Sequence, residues 1–293
     1  MENRETELNL RTIMRYQKFS ETLTNDRYIL DIVTSGYKIE FCTEPFQTHP
    51  RITPVPKILE KREIIQKEVN SLLENGAIRP VQEIQGEFIS TIFLISKMRH
   101  EANNQFKTSK SVYTKIHFKM ETLQTALASI QKDDFLTSLE LKDAYFRIPV
   151  ALDHKKYLRF LRKKQCYEFQ CLPFGLKSSP QVFMKCTQPL IAHIRSKGHK
   201  GLIYLDNSLW MTQSFHQSQL QIQEVMSIFQ KAGFTTNMEK LSLIPMQEVT
   251  FIGYLINTSK MMVYLPQEKI ILLRKEIQSL LDNCFPKFVK WPG

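Results

Sequence analysis

Cysteine is scarce in this chain and poorly spaced for chemistry. The five cysteines, Cys42, Cys166, Cys171, Cys186 and Cys284, are odd in number and form no Cys-x-x-Cys pair. That argues against a disulfide framework or a zinc site, and for a reducing compartment. No apolar run approaches the roughly 18 residues that a bilayer-spanning helix needs. The N-terminus, Met-Glu-Asn-Arg-Glu-Thr-Glu, lacks the apolar core of a signal peptide. The expectation is an intracellular protein, cytoplasmic or nuclear, neither secreted nor bound to a membrane. Internal repeats and low-complexity tracts are also missing. Acidic residues are outnumbered, 29 against 40 lysines and arginines, which leaves a net charge of +11. An excess of that size suits a polyanionic partner, because each phosphate contact releases a counterion.

What remains is an ordinary globular composition of 293 residues, 42% hydrophobic and 24% charged, enough for one large or two modest domains. An apolar cluster lies at Tyr28–Val33, and Pro50, Pro54 and Pro56 mark an extended linker. Ile58, Ile65, Val69, Leu72 and Leu73 recur at helical spacing and predict a helix over 57–75, with Gly76 as its stop. Residues 88–96 read as a strand, 98–116 as polar and aperiodic, and 121–130 as a short helix. Strands are expected from there to Leu172. Ser179 is placed to cap a helix with Pro180 in its first turn, burying Val182, Phe183, Cys186, Leu190 and Ile194. A strand–turn–strand around Asp206 follows, then a helix over 217–232 with Ile222, Val225, Met226 and Phe229 inward. Strands at 241–244 and 249–256 and a helix at 267–282 complete the pattern. Strands interleaved with helices and hairpins predict an α+β fold, an antiparallel sheet backed by helices.

Two acids stand where such a fold delivers side chains to a point. Glu140 ends an apolar strand, and Asp206 sits at the hinge of Leu202-Ile-Tyr-Leu-Asp-Asn-Ser-Leu-Trp-Met211. Paired carboxylates suit hard Mg²⁺, and a metal pair about 3.5–4 Å apart stabilises both oxygens of a phosphoryl transfer. Taken alone, Asp206-Asn207 is equally a plain turn, since both residues tolerate turn geometry.

The wider constellation is more specific. Ser138-Leu-Glu-Leu-Lys-Asp-Ala-Tyr-Phe-Arg-Ile-Pro149 resembles motif A of reverse transcriptases. Leu172-Pro-Phe-Gly-Leu-Lys-Ser-Ser-Pro180 resembles motif B, and Tyr204-Leu-Asp-Asn207 the Tyr-x-Asp-Asp box of motif C. Gly233-Phe-Thr-Thr-Asn-Met-Glu-Lys240 is similar to motif D, and Phe251-Ile-Gly-Tyr254 to the primer-grip hairpin. Five motifs in order point to the reverse-transcriptase domain of DIRS-type retroelements, and more distantly to gypsy-type and retroviral enzymes. The resemblance implies a polymerase right-hand fold: fingers over 51–118, after an N-terminal segment 1–50; a palm over 119–260, with 150–174 contributing to the fingers; and a partial thumb over 261–293. It implies Glu140 and Asp206 as Mg²⁺ ligands, Asn207 beside them, and Lys240 as the group that protonates pyrophosphate. Asp143, Ala144, Tyr145, Phe174 and Gly175 would hold the dNTP, with Tyr145 excluding a 2′-hydroxyl. Phe251 and Gly253 would form the primer grip. The implied partners are an RNA or DNA primer–template and dNTPs.

The chain departs from the family in three places. The family has aspartates where Glu140 and Asn207 stand. Glu140 keeps the charge but extends the carboxylate by one methylene, and Asn207 replaces a charge with an amide. Residues 97–116 lack the family's Gly-rich turn and Arg-Pro-x-x-x-Leu-Lys-x-Leu-Asn segment. Read one nucleotide forward with synonymous codons, His100–Thr114 can spell Met-Arg-Pro-Ile-Ile-Asn-Leu-Lys-Pro-Leu-Asn-Gln-Phe-Ile, the missing segment. Two compensating indels would leave 98–116 a frameshift relic, expected to be disordered, the alternative being a lineage-specific loop. After Leu281 the sequence leaves the thumb pattern, which suggests a truncated reading frame. The expectation is thus a degenerate reverse transcriptase with polymerase activity lost or very weak. Two rivals are an active polymerase relying on Glu140 and Asp206, and a non-catalytic nucleic-acid-binding module.

Overall fold

The computed structural model describes residues 17–47, 59–96, 102–107, 123–237 and 242–284. Its strands are β1 (Ile78–Val81), β2 (Ile89–Ser96), β3 (Ala102–Lys107), β4 (Phe135–Lys142), β5 (Arg159–Arg162), β6 (Gln165–Phe169), β7 (Gly201–Tyr204), β8 (Asn207–Thr212), β9 (Thr235–Thr236), β10 (Ser242–Met246), β11 (Glu248–Phe251), β12 (Tyr254–Asn257) and β13 (Met262–Tyr264). Residues 17–23 are helical, and the further helices are α1 (Arg27–Ser35), α2 (Leu59–Glu74), α3 (Leu123–Ser129), α4 (Ser179–Ser196), α5 (Phe215–Lys231) and α6 (Gln267–Cys284). They form two compact units. One comprises Met1–Met120, Glu140–His199 and Gln223–Glu239; the other comprises Glu121–Leu139, Lys200–Ile222 and Lys240–Gly293.

The first unit contains a five-stranded sheet in the order β1-β6-β5-β2-β3. Its register is held by charge as well as by backbone. Arg159 and Glu168 face each other across β5 and β6, and Arg159 Nη2 lies 2.6 Å from Glu168 Oε2 with both side chains almost fully buried. Glu87 takes a second arm of Arg159 at 2.6 Å, and Arg79 reaches Glu168 Oε1 at 2.9 Å from a half-exposed position. Burial alone would raise the Glu168 pKa, but the hydrogen bonds from Arg159 and Arg79 outweigh it and leave the carboxyl below its ordinary value. The residues before the sheet are strapped onto the same unit. Tyr37 N–H donates to Pro149 O at 2.8 Å and Ala151 N–H to Tyr37 O at 3.0 Å. Gly36 (φ +92) lies so close to the neighbouring chain that a Cβ would come within 2.5 Å of Ala151 N.

The helix face read from spacing is buried as expected on α4: Val182, Phe183, Cys186, Leu190 and Ile194 are each at most 2% exposed. Ile65, Val69 and Leu72 of α2 and Ile222, Val225 and Phe229 of α5 are buried too. Ser179, however, is not the cap of α4. Ser178 holds that position without a side-chain cap bond, and the Ser179 hydroxyl donates instead to Pro173 O at 2.9 Å. It ties the preceding loop to the helix, a role that cap preference alone does not distinguish. The apolar cluster at Tyr28–Val33 belongs to α1, whose first turn is capped by Asp26 accepting from Tyr28 N–H.

Within the expected disordered stretch, Ala102–Lys107 form β3, paired antiparallel with β2 from Thr91↔Lys107 to Ser96↔Ala102. A ladder of backbone hydrogen bonds needs no apolar periodicity in the strand that joins it. The remainder of that stretch lies outside the described residues.

The second unit is built on the sheet β10-β4-β8-β7, beside a three-stranded sheet β11-β12-β13. The stretch 249–256, read as one strand, is a hairpin that turns at Ile252-Gly253, both with positive φ. Its core gathers Ile130, Leu136, Leu202, Leu209, Met211, Val249, Phe251 and Ile256. Trp210 is fully buried, and its ring lies over Gly201 on the paired strand; a Cβ there would sit 2.1 Å from the ring. The indole N–H donates to Ser208 Oγ at 2.9 Å, and that hydroxyl donates to Leu139 O at 3.2 Å.

Two measurements test these fold determinants. Gly201→Ala should lower stability by about 1–3 kcal/mol in urea unfolding, because the indole has to shift in a packed interior. Glu168→Gln should cost about 3–5 kcal/mol, since it leaves Arg159 buried with one partner fewer. The depressed Glu168 pKa also gives stability that is complete above the unfolded value of about 4.3 and lost as pH falls through the folded value. The variant should therefore show a shallower loss of stability with acid than the native chain.

Candidate active site

Glu140 is half-buried near the end of β4 and is held through its backbone: Asn237 N–H donates to Glu140 O at 2.8 Å. Just beyond, Leu141 and Lys142 pair with Thr236 and Thr235 of β9. The strand then stops abruptly. Asp143 takes a left-handed conformation (φ 51, ψ 36) and starts the 3-10 turn Ala144–Arg147. For a residue with a Cβ this backbone costs about 1–2 kcal/mol, although aspartate tolerates it better than most. Burial pulls the Arg147 guanidinium below its usual pKa, against the opposing pull of Asp143. Arg147 donates from Nη2 to Thr235 Oγ1 at 3.3 Å. Burial, with Asp143 adding to it, also raises the carboxyl of Glu68 on α2.

Tyr145 and Phe174, read separately as nucleotide contacts, meet edge to face with ring centroids 4.9 Å apart. Tyr145 also meets Phe183 of α4 at 5.0 Å, and Phe146 meets Phe174 at 5.6 Å. Tyr145 is only 5% exposed and Ala144 2%. Gly175 follows, exposed, with φ 91. The ring that the resemblance assigns to the sugar is thus also a core residue joining the 3-10 turn, the motif B loop and α4.

Asp206 sits in the two-residue loop between β7 and β8, closed by Tyr204↔Asn207. Leu205 carries the positive φ of that loop, 57°. A side chain there is strained by about 1–2 kcal/mol where glycine would be at ease. The two-residue hairpin loop imposes this conformation, since its tight turn requires a left-handed position. Asn207 Nδ2 donates to Asp206 Oδ1 at 3.0 Å. The amide therefore uses a donor on the carboxylate it adjoins. Ser208, the next residue, is the one whose hydroxyl reaches Leu139 O, immediately before Glu140.

The other expected site residues are distributed differently. Phe251 is 4% exposed inside the second unit's core, so it acts by placing the hairpin. Gly253 (φ +79) is where a Cβ would come 2.0 Å from Lys269 Nζ, and Lys269 lies 5.6 Å above the Tyr254 ring. Lys240 lies outside the described residues. No group of three or more His, Cys, Asp or Glu side chains gathers as a metal cage among the described residues. Burial raises the thiols of Cys171 and Cys166 to about 12 and about 11, which removes them as nucleophiles. No helix among the described residues is long and apolar enough to cross a membrane. Sequence reasoning missed Arg147, Glu68 and Ser208. A basic residue four positions after Asp143 was visible, but nothing in the spacing linked it to Thr235.

Solved structures with this arrangement are polymerases of the right-hand fold. A foamy viral protease–reverse transcriptase in complex with double-stranded DNA superposes with a TM-score of 0.66 at 18% identity, covering 90% of this chain and 51% of that one. The native prototype foamy virus protease–reverse transcriptase gives 0.63 at 16% identity, covering 85% and 34%. Residues 65–256 match the family described as reverse transcriptase (RNA-dependent DNA polymerase), and the chain belongs to that family. Among curated relatives, the retrovirus-related Pol polyprotein from transposon opus of Drosophila melanogaster is 24% identical over 210 residues, 69% of this chain and 20% of that protein. The Gag-Pol polyprotein of bovine immunodeficiency virus (strain R29) is 27% identical over 250 residues, 80% of this chain and 16% of that protein. The Pol polyprotein from transposon gypsy of Drosophila melanogaster is 23% identical over 210 residues. The chain spans a fifth or less of the length of the opus and bovine proteins.

The double role of Tyr145 is open to a direct test. Tyr145→Ala should destabilise the protein by about 3–5 kcal/mol in chemical unfolding, as loss of a buried aromatic does. A cost under about 1 kcal/mol would show that the ring serves the site and not the core.

Proposed function

We propose that this chain is the polymerising portion of a DIRS-like retroelement reverse transcriptase whose catalysis is lost or very weak. Fingers are assigned to 51–118, palm to 119–260 and the start of a thumb to 261–293. The reaction is attack of a primer 3′-hydroxyl on the α-phosphate of a dNTP, with Mg²⁺ supplying charge stabilisation when bound. Glu140 and Asp206 are the proposed carboxylate ligands. Asp143, Ala144, Tyr145, Phe174 and Gly175 are the proposed dNTP contacts, Lys240 the proton donor, and Phe251 and Gly253 the frame of the primer grip.

The observation that carries the loss of activity is the Asn207–Asp206 hydrogen bond at 3.0 Å. The donor set suits Mg²⁺ in kind, since carboxylate and amide oxygens are hard ligands. It is short in charge: the residue beside Asp206 brings a neutral amide and turns an N–H toward the carboxylate. Glu140 adds a methylene, and a displacement of about 1 Å in a preorganised site can cost on the order of 100-fold. The family's triphosphate-holding segment is also replaced over 98–116, which positioning-dependent phosphoryl transfer would not tolerate.

Radiolabelled dNTP incorporation on a primer–template tests this. The native chain should give background incorporation with Mg²⁺, and so should the double variant Glu140→Asp with Asn207→Asp. Activity should return only when that pair is combined with the restored segment at 98–116. Clear incorporation by the native chain would support a working polymerase on Glu140 and Asp206. Incorporation by the double variant alone would show that the 98–116 defect matters less than the metal ligands. Separately, the native chain should bind primer–template with an affinity that falls as salt rises. A flat response would remove the nucleic-acid reading of its +11 charge.

A further inference from the structure

The hairpin β5–β6 of the first unit closes on two residues only. Arg162 pairs with Gln165, so Lys163 and Lys164 form the whole loop. Both carry positive φ, 46° and 65°, the backbone of a type I′ turn. Such turns take Asn-Gly because both central residues must be left-handed. The chain meets the same demand at Ile252-Gly253 by supplying a glycine. At 163–164 it supplies none, and it places two exposed ammonium groups there instead.

Arg162, directly behind the tip, is anchored. Its Nη2 donates to Arg62 O on α2 at 3.3 Å, while its Nε is buried without a partner. Among the described residues, the ion pairs of the first unit involve neither Arg162, Lys163 nor Lys164. Two exposed cations backed by the anchored Arg162 therefore stand at a two-residue turn with no paired carboxylate among the described residues. A turn selected for folding would be cheaper, and a turn selected for solubility alone would need neither left-handed lysine.

We propose that the Arg162–Lys164 tip is a contact for the phosphate backbone of a polynucleotide, separate from the metal-ligand residues. The proposal rests on the polymerase reading above and adds to it a second place where nucleic acid is held. The tight turn spares the backbone share of the ordering entropy, leaving only that of the two lysine side chains. Two exposed lysines side by side neutralise adjacent phosphates and release their counterions.

The test is the double variant Lys163→Asn with Lys164→Gly, compared with Lys163→Arg with Lys164→Arg, in the full chain. The probe is a fluorescently labelled primer–template duplex with a single-stranded overhang, titrated at several salt concentrations. The Asn-Gly variant should melt at a higher temperature than the native chain yet bind about tenfold more weakly at low salt. Its plot of log affinity against log salt should be shallower by about 1.4–1.8, the share of two phosphate contacts. The Arg-Arg variant should keep native affinity and slope. Native affinity and slope in a stabilised Asn-Gly variant would overturn the tip as a contact and leave the polymerase reading standing. Absence of salt-dependent binding by the native chain itself would overturn both.

Discussion

One buried indole sets the register of the strands at the heart of the second unit. Trp210 has no exposure, so its N–H must find a partner inside the protein. It finds Ser208, whose hydroxyl passes a second hydrogen bond to Leu139 O. The same ring occupies the space over Gly201, so the paired strand can carry no side chain there. A glycine, a serine and a strand register are thus dictated by one side chain. Leu139 immediately precedes Glu140, and Ser208 follows Asp206 by two residues. The register of β8, which opens directly after Asp206, therefore depends on how that ring is packed.

Much of the architecture was legible because burial leaves a periodic trace. The inward face of α4 read correctly from spacing and those of α2 and α5 largely so, with Leu73 and Met226 only half-buried, since a helix that buries one stripe must repeat it. The hairpin around Asp206 was read from two apolar runs flanking turn residues, but its loop is Leu205-Asp206 and not Asp206-Asn207, because Asn207 already pairs with Tyr204. The failures share a cause: they lie where backbone geometry or a single long-range bond decides the outcome. Ser179 looks like a cap, yet its hydroxyl bonds to Pro173, six residues back. Ala102–Lys107 show no apolar pattern, yet β2 offers them a ladder of backbone partners. The hairpin at Ile252-Gly253 was hidden because apolar residues on both sides of it read as one continuous strand.

The candidate site could be proposed residue by residue from the sequence, but its side-chain state could not. Glu140, Asp206 and Asn207 could be named from motif order alone. That Asn207 turns its amide toward Asp206 could not, because a side-chain rotamer leaves no mark in sequence. Nor does sequence show strain. Leu205, Asp143, Lys163 and Lys164 carry positive φ without being glycine, and each adjoins a charged or site residue. Glycine is the usual signal for such backbone, so its absence hides which residue is left-handed even where the turn itself is legible.

The distribution of change across the chain follows from what each part must satisfy. A core needs apolar volume in the right places and accepts many sequences that provide it. The second unit's core meets that demand with Leu136, Leu202, Leu209, Met211 and Phe251 all buried. A two-metal centre accepts far less, because charge, reach and number of carboxylates must all be right at once. A chain released from selection for chemistry, but still folding, would lose the second before the first. On the reading proposed above, a second-unit core that keeps its buried apolar residues, together with an amide at Asn207 and a lengthened acid at Glu140, fits that order of loss.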